Sequence, residues 1–158
     1  MKPGLPFLLE LLGQAYDRRS WHGPNLRGSL RGMSAADAAW RPAPGRHNVH
    51  EIALHAAYWK YAVRRRLTGE TRGSFPVKGS NWFPRPASGT AAEWKETLEV
   101  LAEVHRSLAG AVAAFDPARL AETPARSRFS NLDMIAGAAA HDLYHAGQIQ
   151  LLKRLRAG

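Results

Sequence analysis

Apolar residues recur along this chain at three- and four-residue intervals in separate blocks, and no stretch alternates with period two for long enough to make a strand. Leu5, Leu8, Leu9, Leu12 and Ala15 predict a first helix over residues 5–18, with Pro6 tolerated in its first turn. His22-Gly23-Pro24 interrupts that pattern. Leu26 and Leu30 then suggest a short helical continuation that Gly32 stops, and Ser34 reads as the cap of a brief turn through Ala39. Arg41-Pro42-Ala43-Pro44-Gly45 is a loop, because proline lacks a backbone donor and disfavours helix in the residue before it.

Ile52, Ala56, Trp59, Ala62, Val63 and Leu67 form one stripe of a helix over 47–67, with Gly69 just beyond its end. Residues 69–89 hold Pro76, Pro84, Pro86, Gly73, Gly79 and Gly89 and predict a long irregular connection that covers a site or crosses the bundle. Thr90 and Glu93 make a capping box, after which Trp94, Leu98, Leu101, His105, Leu108, Val112 and Phe115 keep a bundle-type seam up to Asp116-Pro117. The last helix opens at Ser130 or Asn131, with Asp133 suited to its positive end, and runs to about Arg156. Four main helices and no strand predict an all-α protein, a four-helix bundle with a long connection between its second and third main helices. Residues 1–158 are expected to form one domain.

The seam of the last helix is unusual. Met134, Ala138, His141, His145, Gln148, Leu152 and Leu155 share one stripe, so three polar side chains sit in the middle of a face that is apolar at both ends. Burying an imidazole or amide without a partner costs on the order of 1–3 kcal/mol, so three adjacent ones imply a metal, water or a ligand cavity. His141 and His145, four apart, can share one cation, and the inner faces of bundles are a usual place for such sites. A third donor could come from His55, within the stripe of the second main helix. His105, on the seam of the third, is a fourth ligand, a supporting group or an ordinary core histidine, and the last is preferred. Glu51 could orient His55 or act as a base on bound water, although an exposed first-turn carboxylate is the simpler expectation. His22 and His50 are expected at the surface or in loops. Of the tryptophans, Trp21, Trp40, Trp59 and Trp94 read as packing residues, and Trp82 in the long loop is the one free to meet a ligand.

Composition narrows the chemistry. The chain has no cysteine, which excludes disulfides, thiolate ligation and a cysteine nucleophile. No Gly-x-Ser-x-Gly elbow or phosphate-cradling glycine loop occurs. With 22 Lys and Arg against 13 Asp and Glu the formal charge is +9, but the basic residues are scattered and accompany no nucleic-acid motif, so nucleic acid is not an expected partner. No secretory signal or membrane span is apparent, which favours a cytoplasmic protein without membrane association.

Three segments carry a family resemblance: Trp21-His22-Gly23-Pro24 with Leu26; Arg41 to His47 leading into Glu51-Ile52-Ala53-Leu54-His55-Ala56-Ala57-Tyr58-Trp59; and His141-Asp142-Leu143-Tyr144-His145-Ala146-Gly147-Gln148-Ile149. The chain resembles the DinB-like, or damage-inducible, metal-binding bundles, which include the YfiT-like proteins. The resemblance implies an up-down-down-up bundle, homodimers, and a divalent metal, zinc or nickel, on His55, His141 and His145. It is the resemblance that selects His55 over His105. His50 departs from the pattern, since relatives place an aromatic residue there.

The resemblance also implies thiol-dependent chemistry on a small-molecule substrate. A low-molecular-weight thiol at an open metal position would attack an electrophile, with Gln148 or a loop group positioning the partner. The alternatives are a non-catalytic metal-binding stress-response module and a metal-dependent hydrolase with Glu51 as base.

Overall fold

The computed structural model describes residues 4–85, 89–125 and 127–158; Pro86 of the long connection and Arg126 lie outside them. Among the described residues are α1 (Leu5–Tyr16), α2 (Leu26–Leu30), α3 (Ala35–Ala39), α4 (Val49–Thr68), α5 (Ala91–Ala113), a 3-10 turn (Pro117–Ala121) and α6 (Asn131–Ala157), with no strand. The protein is all-helical. Among the described residues no helix is long and apolar enough to cross a membrane.

The helix starts follow from side chains that satisfy the first free amides. Asn48 accepts from the Glu51 amide, while Thr90 with Glu93 forms the expected capping box. Ser130 with Asp133 and Ser34 with Asp37 form two more, so Asp133 acts as a capping partner as well as a favourable charge. Gly69 ends α4 in the left-handed conformation, φ 71°. The first helix is shorter than its pattern and stops at Tyr16. The amides of Asp17 and Arg18 both turn back to the Gly13 carbonyl, at 2.9 and 2.8 Å. Arg18 lies so close over Gly13 that a Cβ there would sit 2.5 Å from its Cδ.

The four long helices pack in a ring, with α1 against α6 and α5, and α4 against α5 and α6. Their apolar side chains form two clusters. One gathers Tyr16, Leu26, Val49, Ile52, Ala57, Trp94, Leu101, Val104 and Ile149. The other gathers Leu8, Leu12, Val63, Leu67, Leu108, Val112, Met134, Ile135 and Ala139. Each long helix crosses from one cluster to the other, and buried polar residues fall at the crossing: Lys60 on α4, His105 on α5, and Asp142 and His145 on α6.

Two packing expectations fail. Leu155 is 54% exposed, because the buried face of α6 runs through Ile135, Ala139, Asp142, Ala146 and Ile149, which moves the expected seam to the edge of the core. Trp21 is fully exposed, in the turn between α1 and α2.

Candidate metal centre

α4 and α6 lie side by side and bring three imidazoles to one point. Position four apart on one helix face places His141 and His145 together, and His55 meets them from α4. His55 Nε2 is 3.2 Å from His141 Nε2, and His145 Nε2 is 3.0 Å from it. One ligand atom from each of the three lies within 4.8 Å of the others.

The outer nitrogens decide what these inner ones are. His55 Nδ1 donates to the Asn81 carbonyl at 2.8 Å, and His145 Nδ1 donates to Gln148 Oε1 at 2.7 Å. A neutral ring protonated at Nδ1 presents a lone pair at Nε2. Two lone pairs therefore face His141 Nε2, whose single proton could serve only one of them. Burial, the leading cause in each case, holds His141 at about 3, His145 at about 4, and His55 below the usual imidazole value, so the rings are neutral near pH 7. Converging neutral imidazoles are the donor set of a divalent cation. Nitrogens each bonded to one tetrahedral ion at 2.0–2.1 Å are separated by about 3.3 Å, close to the spacings found here. The residues present thus fit a metal.

The long connection lies on this centre. Asn81 has a left-handed backbone, φ 61°, which a short polar side chain tolerates. Its carbonyl holds His55, while its Oδ1 accepts from Trp59 Nε1 at 2.9 Å. Trp82 is stacked between two imidazoles, 3.8 Å from His55 and 3.6 Å from His47, with interplanar angles of 9° and 4°. Trp82, expected to be free to meet a ligand, is half-buried and packs against His55 itself.

Glu51 is buried, which overturns its expected exposure at the helix start. Arg41 binds both its oxygens, the Arg85 amide donates to Oε1 at 2.8 Å and His47 Nδ1 lies 3.0 Å from Oε2. Burial would raise its pKa, but these donors outweigh it and bring the carboxyl down to about 2. So held, Glu51 pins the loop through Arg41 and Arg85 and is a poor proton acceptor. His50 is likewise buried rather than superficial, bonded through Nε2 to Thr97 Oγ1 at 2.6 Å and edge-on to Trp94. His22 is exposed, as expected. Gln148 uses both ends of its amide, accepting from His145 and donating to Tyr144 Oη at 3.1 Å, and so orients the His145 ring.

His105 does not join the triad. It stacks on Tyr16 at 3.9 Å and meets Lys60 Nζ through Nδ1 at 3.2 Å. Lys60 in turn pairs with Asp142, both fully buried. Burial pushes the Asp142 carboxyl up to about 6, with Lys60 pulling against it. Lys60 and Asp142 were readable as charges inside apolar stripes, between Ala56 and Val63 and between Ala138 and Ala146. Asn81 carried no comparable signal.

A model of the DinB superfamily matches residues 19–149. The chain belongs to that superfamily. No curated protein matches the chain, and no solved structure does. The DinB match spans all three histidines, Glu51, Asn81, Trp82 and Gln148, and leaves out the whole of α1 and the end of α6.

Proposed function

We propose that this DinB protein binds zinc or nickel on His55, His141 and His145 and transfers a low-molecular-weight thiol to a small electrophile. The observation that carries the reading is the donor set: three neutral imidazoles and no carboxylate in the cluster. They leave the ion's double positive charge uncompensated, so an anionic ligand is favoured at a remaining position. A divalent ion bound there lowers the pKa of a coordinated thiol or water. A thiol, with an ordinary pKa near 8.5, needs much less help than water to be anionic at neutral pH. With Glu51 committed to Arg41 and Arg85, the centre has no carboxylate placed to deprotonate water, which favours the thiol over hydrolysis.

In this reading Asn81 and Gln148 fix the Nδ1 tautomer of two ligands, and Trp82 excludes water from one face of His55. The thiolate sulfur would form a bond to the electrophilic carbon as that carbon's bond to its leaving group breaks, with the thiol proton going to solvent and the leaving group departing with the bonding electron pair. Dependence on a free thiol suits a reducing, cytoplasmic setting.

The up-down-down-up arrangement is supported by the order in which the helices cross the two apolar clusters. α4 and α5 both run from the Ile52 and Trp94 cluster toward the Val63 and Leu108 cluster, while α1 and α6 run the other way. Parallel neighbours need a return crossover, which accounts for the length of the connection between α4 and α5. The ring of packing contacts supports one domain over residues 1–158. A homodimer is supported by the exposed stripe of Tyr144, Leu151 and Leu155 on α6.

Elemental analysis of purified protein, combined with a panel of thiols and electrophiles, tests the function. Near one metal ion per chain and thiol transfer are expected, with both lost in His145→Ala. Metal binding with no thiol-dependent reaction supports the non-catalytic module, and transfer that survives His145→Ala sinks the mechanism.

A further inference from the structure

Beside His141 the cleft between α4 and α6 holds a recess of about 120 Å³. Trp59 and Val63 wall it from α4, and Met134, Gly137 and Ala138 wall it from α6, with His141 at its head. Trp59 and Val63 follow His55 by one and two helical turns, and Ala138 and Met134 precede His141 by one and two. The recess is thus the stretch of the same cleft next to the three histidines, and His141 belongs to both.

We propose that this recess receives a short, uncharged, apolar group carried by the ligand of the metal centre, an inference that rests on the metal reading above. Its walls are aliphatic and aromatic. The one charged side chain that reaches it, Lys60, is committed to Asp142 and leaves no free cation for an anionic tail. A Cβ added at Gly137 meets nothing within 4 Å, so that wall is open to a guest. Two other approaches to the triad are occupied: Trp82 covers a face of His55, and Gln148 holds the outer edge of His145. An enclosed cavity of roughly 150 Å³ admits benzene, so a recess of this size suits a chain of about four carbons. The basic character of the whole chain therefore says little about the substrate, because the recess itself is apolar.

The test uses full-length protein loaded with cobalt(II) and straight-chain thiols from ethanethiol to hexanethiol, with binding read from the visible spectrum. Affinity is expected to rise about fourfold per methylene up to roughly four carbons and then level off. Gly137→Leu should flatten the series, and Met134→Ala should extend the rise by about one or two carbons. A flat series in the wild-type protein, or identical slopes in both variants, overturns the recess and leaves the metal reading standing. Failure of cobalt to bind overturns the metal reading and this inference with it. Gly137→Leu replaces an exposed helical glycine with a stronger helix former, so it keeps the test valid if Met134→Ala does not fold.

Discussion

Two polar clusters lie within one turn of each other between α4 and α6, and they are solved in opposite ways. In the first, Lys60 faces Asp142, and His105 and Tyr16 close the group from α5 and α1. Opposite charges meet inside the core, and Asp142 Oδ1 is left buried without a partner among the described residues. In the second, His55, His141 and His145 turn acceptor nitrogens toward one another, with Asn81 and Gln148 holding two of the rings from behind. The first cluster balances its charges from within the chain, as a core ion pair must. The second leaves its inner nitrogens facing one another in an arrangement that could hold a cation. Adjacent residues, His141 and Asp142, serve the two, which shows how narrowly the helix face separates a site from a structural pair.

That contrast is broken most sharply at the histidines. His145→Ala should reduce bound metal from near one per chain to a trace, measured by elemental analysis after dialysis, while the fold remains helical by circular dichroism. Asp142→Ala should do the reverse. It leaves Lys60 buried and unpaired and should cost about 3–5 kcal/mol in denaturant unfolding, and the pair Lys60→Met with Asp142→Leu should recover most of that loss. If Asp142→Ala were neutral, the ion pair would not be a structural element.

A smaller effect is expected at Gln148. Removing the acceptor of His145 Nδ1 in Gln148→Ala should weaken metal binding roughly 10–100-fold in a chelator competition, with unfolding free energy little changed. Smaller again is the response of the metal-free protein to acid. Burial lowers His50 to about 4 and His105 to about 3 in the folded chain, against about 6.5 when unfolded. Below about 6.5 the unfolded chain binds protons that the folded one refuses, so stability is full above that value and falls as the pH drops toward 4. Each histidine should cost about 1–2 kcal/mol by pH 5, and His50→Phe should remove one share of the slope. An unchanged slope would mean that His50 is protonated in the folded protein.

Much of this was written locally. Thr90 with Glu93, Ser130 before α6 and Gly69 after α4 act through bonds within three or four residues, so position along the chain was enough to place them. His141 and His145 were legible for the same reason, as one helical turn. His50 and Glu51 were misplaced because their burial comes from elsewhere: Thr97 and Trp94 cover the first, and Arg41 and Arg85 enclose the second. Asn81 and Trp82 sit in a connection without periodicity, where nothing in the sequence says which residue will reach a histidine.

The sequence by itself determined the helices, their caps, the absence of cysteine chemistry and the kinds of donor on α4 and α6, because each depends on residue type and on spacing within a turn or two. The family resemblance already pointed to His55 over His105; only the tertiary structure decided that Lys60 and Asp142 close on each other and that Asn81 and Trp82 reach the His55 ring. Those outcomes depend on the rotation and register of α4 against α6 and on the path of the loop between α4 and α5. Such long-range geometry is fixed by packing across the whole core, which no local pattern encodes.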